Sequence, residues 1–367
     1  MSKDKIEILI AGPEDNQGLI DLSHNCPMES DISVYPDRSP DYSAIQKLIN
    51  KNSYHVIAKK NNNIIGCLGC TYFDVQINNE IFRSGVMVDF KVDPSMRKSL
   101  ITYRIAKFLA EKEKISKTDL WIGMILAQNK APLPFIKGRV GFPKANFFGR
   151  FNVRNFIPIL KFKIDHRFEI CQATQKDIPE IVKLYKNFYN KHQLTPYFTE
   201  EKFLELITNF KGLEIENFSI AKENGKIKAV LATWDQSFYK KMFVRNFHAS
   251  AKVLLFFCKF LSIFMKIPKL PKSNNHLKVM NIIMYAHNNC PEAFKALIRH
   301  TNNKMRGGEY PILTLYMSAK SPLNKYLKAM PGTTVGTDCY IATENEEINK
   351  TLENRMDSIH LEWQIFV

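Results

Sequence analysis

The stretch Met87-Val88-Asp89-Phe90-Lys91-Val92-Asp93-Pro94-Ser95-Met96-Arg97-Lys98-Ser99-Leu100-Ile101-Thr102-Tyr103-Arg104-Ile105-Ala106 changes its periodicity midway. Up to Val92 it reads as a strand. From Leu100 onward Ile101, Ile105, Phe108 and Leu109 fall on one helical face. Asp93-Pro94 marks the turn between the two, because proline has no amide to give a ladder. Such a junction leaves the first N–H groups of the helix unpaired, with about half a positive charge behind them. That is an anion-binding geometry, and Arg97 and Lys98 add ionic partners suited to phosphate.

Working outward, strands are expected near 6–11, 54–60, 64–77, 83–92 and 119–126, with helices near 16–24, 42–51, 100–114 and 130–138. That order predicts an α+β fold, a mixed α/β sheet with helices on both faces. The pattern then repeats. Ile8-Leu9-Ile10-Ala11-Gly12-Pro13-Glu14-Asp15 is echoed by Ile170-Cys171-Gln172-Ala173-Thr174-Gln175-Lys176-Asp177, each a short strand leading to an Asp at a helix start. Ile57-Ala58-Lys59-Lys60-Asn61 is echoed at nearly the same offset by Ile220-Ala221-Lys222-Glu223-Asn224. Each has a polar hairpin turn, Asn61-Asn62-Asn63 or Asn224-Gly225-Lys226, and a second strand. Two tandem domains are expected, 1–165 and 166–367, meeting near Asp165-His166-Arg167.

The strand–loop–helix resembles the GNAT acetyltransferase superfamily, whose pattern reads V-x-P-x-x-(Q/R)-x-x-G-x-(G/A). Val92, Pro94 and Arg97 fit, while Leu100 and Thr102 stand where the family has small residues. A second family element follows the strand Leu120–Leu126. Asn129, Phe135, Gly141 and Phe142 match N-x-x-A-x-x-F-Y-x-x-x-G-F, with one extra residue before Gly141 and Ile136 in the place of the Tyr. The resemblance runs in order from residue 6 to 142 and implies acetyl-CoA, or a related acyl-CoA, as co-substrate and a small amine as acceptor. Carried over residue by residue, it implies a diphosphate held by the loop Arg97, Lys98, Ser99, Leu100, Ile101 and Thr102, and a pantetheine arm running beside Phe90, Val92, Asn129 and Phe135. Asp89 would be the general base, acting through water or serving as an ordinary ion pair, and Ile136 leaves the acid position empty. These three departures also admit a catalytically silent binding protein on the same scaffold.

In the second half the matching strand, Leu277–Tyr285, runs into Ala286-His287-Asn288-Asn289-Cys290-Pro291 with no Arg-x-x-Gly-x-Gly spacing, so no second CoA site is expected. Asn289 reads as a helix N-cap and Gly307-Gly308 as a C-cap. The role left to this degenerate half is to shape the acceptor cleft. It carries an insert, 237–275, whose apolar helix 251–267 has lysines at 252, 259 and 266. Core or homodimer packing would cover such a helix, and an anionic membrane surface is the alternative partner.

A net charge of +16 favours anionic partners, but the basic residues form no run of five, so nucleic acid is not the expected one. Seven cysteines, an odd number, suit a reducing compartment. Cys67 and Cys70 lie on one strand and face opposite sides, so no metal site is expected of them. With no signal-peptide pattern at Met1–Lys5 and no uncharged apolar run near the length of a span, a cytoplasmic location is expected.

Overall fold

The computed structural model describes residues 6–29, 32–97, 99–113, 118–248, 266–268 and 271–361. The first half contributes β1 (Ile6–Ile10), β2 (Ile32–Asp37), β3 (Tyr54–Lys60), β4 (Asn63–Ile77), β5 (Glu80–Val92), β6 (Leu120–Leu126) and β7 (Asn146–Phe156). Its helices are α1 (Asn16–Asn25), α2 (Ala44–Ile49), α3 (Ile101–Glu113) and the single turn α4 (Leu133–Ile136). The second half adds β8 (Glu169–Gln172), β9 (Thr195–Pro196), β10 (Phe218–Glu223), β11 (Lys226–Asp235), β12 (Lys241–Phe247), β13 (His276–Leu277), β14 (Val279–His287), β15 (Ile312–Ser318) and β16 (Gly332–Ala342). Its helices are α5 (Ile178–Tyr189), α6 (Glu200–Asn209), α7 (Pro291–Met305) and α8 (Glu346–Asn354). The insert helix expected at 251–267 falls almost wholly outside the described residues, and among those that are described no helix is long and apolar enough to cross a membrane.

One mixed sheet runs through the molecule in the order β1-β3-β4-β5-β6-β16-β7-β15-β14-β11-β10-β8, with β9 added beside β4. The last strands of the two halves are exchanged: β16 pairs with β6, while β7 pairs with β16 and β15. A smaller sheet, β13-β12-β2, also joins the halves. Neither β2 nor β7 is expected from the sequence, because each draws its partners from the other half and carries no regular alternation of its own. Helix 130–138 shrinks to four residues, entered through Pro132 and followed by Gly138 in the left-handed region at φ 80°.

The duplication persists at the level of single contacts. Asp15 accepts a hydrogen bond from the Gly12 amide at 2.9 Å and pairs with Lys59, and Asp177 accepts from the Thr174 amide at 2.9 Å and pairs with Lys222 at 2.8 Å. Both hairpins turn through left-handed residues, Asn61 and Asn62 in one and Asn224 and Gly225 in the other. Cys67 packs with Leu19, Leu22 and Tyr42 under α1, and Cys70 packs with Ile101 and Leu109 under α3. The C-x-x-C therefore straddles the sheet.

Candidate functional site

Two features of each half place its candidate site. The first is a parting of strands. β5 and β6 pair in parallel from Ser84–Leu120 to Met87–Gly123 and then separate, and β14 and β15 do so from Val279–Ile312 to Ile282–Leu315. The second is a bulge on the strand that parts. Asp89 and Phe90 together oppose Leu68, with Asp89 at φ 55°, and Met284 and Tyr285 together oppose Leu231, with Met284 at φ 49°. A bulge turns the chain by one residue, so Val88 and Asp89 face the α2 side while Phe90 and Val92 face α3.

In the first half the parted strands lead to the loop before α3. Ser95, Met96 and Ser99 donate their amides within the loop, to Asp93 Oδ1, Asp93 O and Met96 O, and the Ile101 amide leans on Ser99 Oγ at 3.3 Å. The Leu100 and Tyr103 amides have no acceptor among the described residues. Leu100 is 75% exposed, so its side chain is not packed into the protein at the loop. Ile101 is buried against Gly66 and offers only backbone here. Arg97 is exposed beside the Val92 carbonyl, Thr102 is partly exposed, and Lys98 lies outside the described residues.

Across the parting, the rings of Phe90 and Phe135 approach to 5.7 Å and stay partly exposed, with Val92 and Met96 beside them. The structure thus brings Phe90, Val92 and Phe135 together on one side of the sheet. Asn129 does not join them: its side chain accepts the Ala131 amide at 3.1 Å and caps its own turn. Ile136 lies near Gly123 and carries no proton.

Asp89 occupies the other face. Its carboxylate binds Arg38 through both Nη atoms, Lys91 Nζ at 2.6 Å and Gln46 Nε2 at 3.3 Å, with His55 Nε2 at 3.7 Å. Burial alone would raise its pKa, yet Arg38 and Lys91 hold it well below the usual carboxylate range. A carboxylate so stabilised is a poor proton acceptor, which argues against the general-base role expected of Asp89. His55 is pushed down by burial despite Asp89. The register Lys241–Asp37 between β12 and β2, carried one residue back, sets Lys240 opposite Arg38. Burial, with Arg38 and Lys91 adding repulsion, lowers Lys240 to about 8. Sequence reading missed Arg38, His55 and Lys240, because nothing local ties residue 38 or 240 to residue 89. Among the described residues no group of side chains suits a metal ion.

No family model and no curated protein matches the sequence. Solved structures do. Saccharomyces cerevisiae N-myristoyltransferase with bound myristoyl-CoA superposes with a TM-score of 0.62 at 10% identity, over 98% of this chain and 86% of that one. A GCN5-related N-acetyltransferase from Anabaena variabilis gives 0.52 at 10% identity, over 93% and 74%. The fold is that of the GNAT acyltransferases. Two GNAT-like units stand in tandem.

The second GNAT-like unit keeps the bulge and the parting but fills the gap. Tyr285, the bulge partner of Met284, packs on Phe188 of α5 at 6.4 Å, Phe294 of α7 at 5.4 Å and His360 at 5.3 Å, all buried. The Tyr185 hydroxyl donates to the Met284 carbonyl. Asn289 is not the N-cap of α7. Its φ is 49°, its side chain accepts from Lys191 Nζ at 2.6 Å, and Cys290 holds the cap position without a side-chain bond. Gly307 follows that helix at φ 68°. His287 meets Phe188 edge-to-face, with ring centres 5.4 Å apart.

Proposed function

We propose that the chain is an acyl-CoA N-acyltransferase, residues 1–165 holding the donor and residues 166–367 shaping the acceptor cleft. The observation that carries this reading is the geometry of the first unit: strands parted at Met87, partly exposed rings at Phe90 and Phe135, and two amides at the head of α3 with no acceptor among the described residues. In the reaction the acceptor nitrogen attacks the thioester carbonyl. The C–N bond forms as the C–S bond breaks, and one proton leaves nitrogen as one joins the sulfur. Arg97 and the amides of Leu100 and Tyr103 would hold the diphosphate, and Phe90, Val92 and Phe135 would flank the arm.

Titrating acetyl-CoA and, separately, myristoyl-CoA while following thermal unfolding tests donor binding. A ligand at 100 times its dissociation constant adds about 2.7 kcal/mol to stability. Arg97→Ala is expected to weaken binding roughly tenfold, the loss of one charge-assisted contact. No stabilisation by either donor at millimolar concentration overturns the reading. A second reading, a CoA-binding protein without turnover, is favoured by one observation: Ile136 offers no acid to the departing thiolate. Binding of a donor without thiol release across a panel of amines selects it.

A further inference from the structure

Three histidines meet in the aromatic core of the second unit. The Phe188 ring lies 4.5 Å from that of His192, 5.4 Å from His287 and 5.4 Å from His360, and the rings of His192 and His360 are 5.3 Å apart. They come from three places in the chain: His192 just past α5, His287 at the end of β14 and His360 in the segment after α8. His360 is 7% exposed, and His287 Nδ1 is buried with no hydrogen-bond partner among the described residues. As neutral rings they pack like the aromatics around them. As imidazolium ions they would lose hydration, and His192 and His360 would repel across one ring contact.

The charged and titratable neighbours do not offset that cost. Lys191 opposes a charge on His192 and on His287, and it gives its own Nζ to Asn289 at 2.6 Å. Tyr189 and Tyr285 meet His360 as rings, at 5.9 and 5.3 Å. Glu292 favours a charge on His287, but its carboxylate already accepts from the Tyr326 hydroxyl at 2.8 Å. Asp357 pairs with Lys320 at the surface. Burial and then His360 push His192 down to about 4, and burial also lowers His287.

The cluster sits where the two units are clasped together. Gln193, 1% exposed, donates its amide to the Ser358 carbonyl at 2.9 Å and accepts from the His360 amide at 2.9 Å, forming a parallel bridge with Ile359. Its side chain accepts at 2.8 Å from the amide of Asn78, at the tip of the β4–β5 hairpin of the first unit. The next amide, Leu194, donates to the Gln76 carbonyl at 2.8 Å. Leu194 has φ 62°, a strained conformation for a bulky residue that persists only where its surroundings impose it. Residues 190–196 are thus pinned between the first unit and segment 356–361, with His192 and His360 at the pins.

We propose that His192, His287 and His360 form an acid-sensitive lock: proton uptake releases segment 356–361 and loosens the hold of residues 190–196 on the first unit. The lock is independent of the acyltransferase reading. An exposed imidazole titrates near 6.5, above the clasped ones, so protons bind the released state first. The lock is therefore closed above about pH 6.5 and opens as the pH falls below it.

Hydrogen exchange on the full chain tests this, read by mass spectrometry as protection factors at pH 7.5 and pH 5 so that the intrinsic pH dependence of exchange cancels. Peptides covering 190–196 and 356–361 are expected to lose roughly tenfold or more in protection at pH 5, while residues 54–70 of β3 and β4 keep theirs. His360→Phe keeps a ring in place and removes one titrating group, and in it the loss should shrink at least threefold. Unchanged protection in the parent, an equal loss over 54–70, or an undiminished loss in the variant overturns the lock. Should His360→Phe fail to fold, the ring-proton shifts of the parent's histidines decide. Titration of His192, His287 and His360 together with the loss of protection supports the lock. Titration near pH 6.5 while segment 356–361 stays protected overturns it.

Discussion

The two GNAT-like units differ most at the residue their backbones share. Both bulge strands place a left-handed residue where the sheet parts, Asp89 in one and Met284 in the other. Around Asp89 lie Arg38, Lys91, Gln46 and His55, and the neighbouring ring, Phe90, stays partly exposed. Around Met284 lie a tyrosine hydroxyl on its carbonyl and a ring, Tyr285, wedged between α5 and α7. The same backbone device thus separates a buried ion-pair cluster from partly exposed rings in the first unit and lies in a packed aromatic core in the second. The shared backbone geometry sets where a site can be. Side chains decide whether there is one.

That contrast can be attacked directly. Met284→Asp puts a carboxylate at a position 3% exposed, and it is expected to cost about 3–5 kcal/mol in denaturant unfolding, the range for an uncompensated buried charge. A loss below 1 kcal/mol would mean that the second bulge is as tolerant of charge as the first. The converse, Asp89→Met, leaves Arg38 and Lys91 facing one another and is expected to cost about 3 kcal/mol. If it proves neutral in 10 mM phosphate but damaging without it, an anion is taking the place of the carboxylate.

The repeated cap gives a finer comparison. Asp15 is 3% exposed while Asp177 lies nearer the surface, so Asp15→Ala is expected to lose about 2 kcal/mol and Asp177→Ala nearer 1 kcal/mol. The reverse order would show that burial does not set the worth of this cap.

A further comparison concerns pH. Lys240 titrates near 8 in the folded chain and at about 10.4 when unfolded. Between those values the unfolded chain binds the extra proton, so this group's contribution to stability rises with pH across that window. The difference between the parent and Lys240→Met, read from pH 7 to 10, should carry that slope. A constant difference removes the depressed lysine.

Much of the fold was legible because its signals are local. β3, β4 and the hairpins announce themselves by alternation and Asn-rich turns, and α3 by its apolar stripe. Phe90, Val92 and Phe135 are singled out by the family resemblance rather than by any local signal, and the structure brings the two rings to 5.7 Å. What escaped is what depends on distant partners. β2 and β7 are held by strands of the other half, Asn129 turns to its own loop, and the Asp89 cluster is assembled from residues 38, 46, 55, 91 and 240. No periodicity within a window of residues reports such a meeting.

The exchange of β7 and β16 has a consequence for synthesis. As the chain leaves the ribosome, β7 is complete at Phe156, but the strands it pairs with, β15 and β16, begin only at Ile312 and Gly332. Through that interval an eleven-residue strand waits with both edges open, a template for wrong pairing. The nascent protein therefore depends most on chaperone cover during translation of its second half, and truncation anywhere before residue 312 leaves an adhesive edge rather than a smaller working unit.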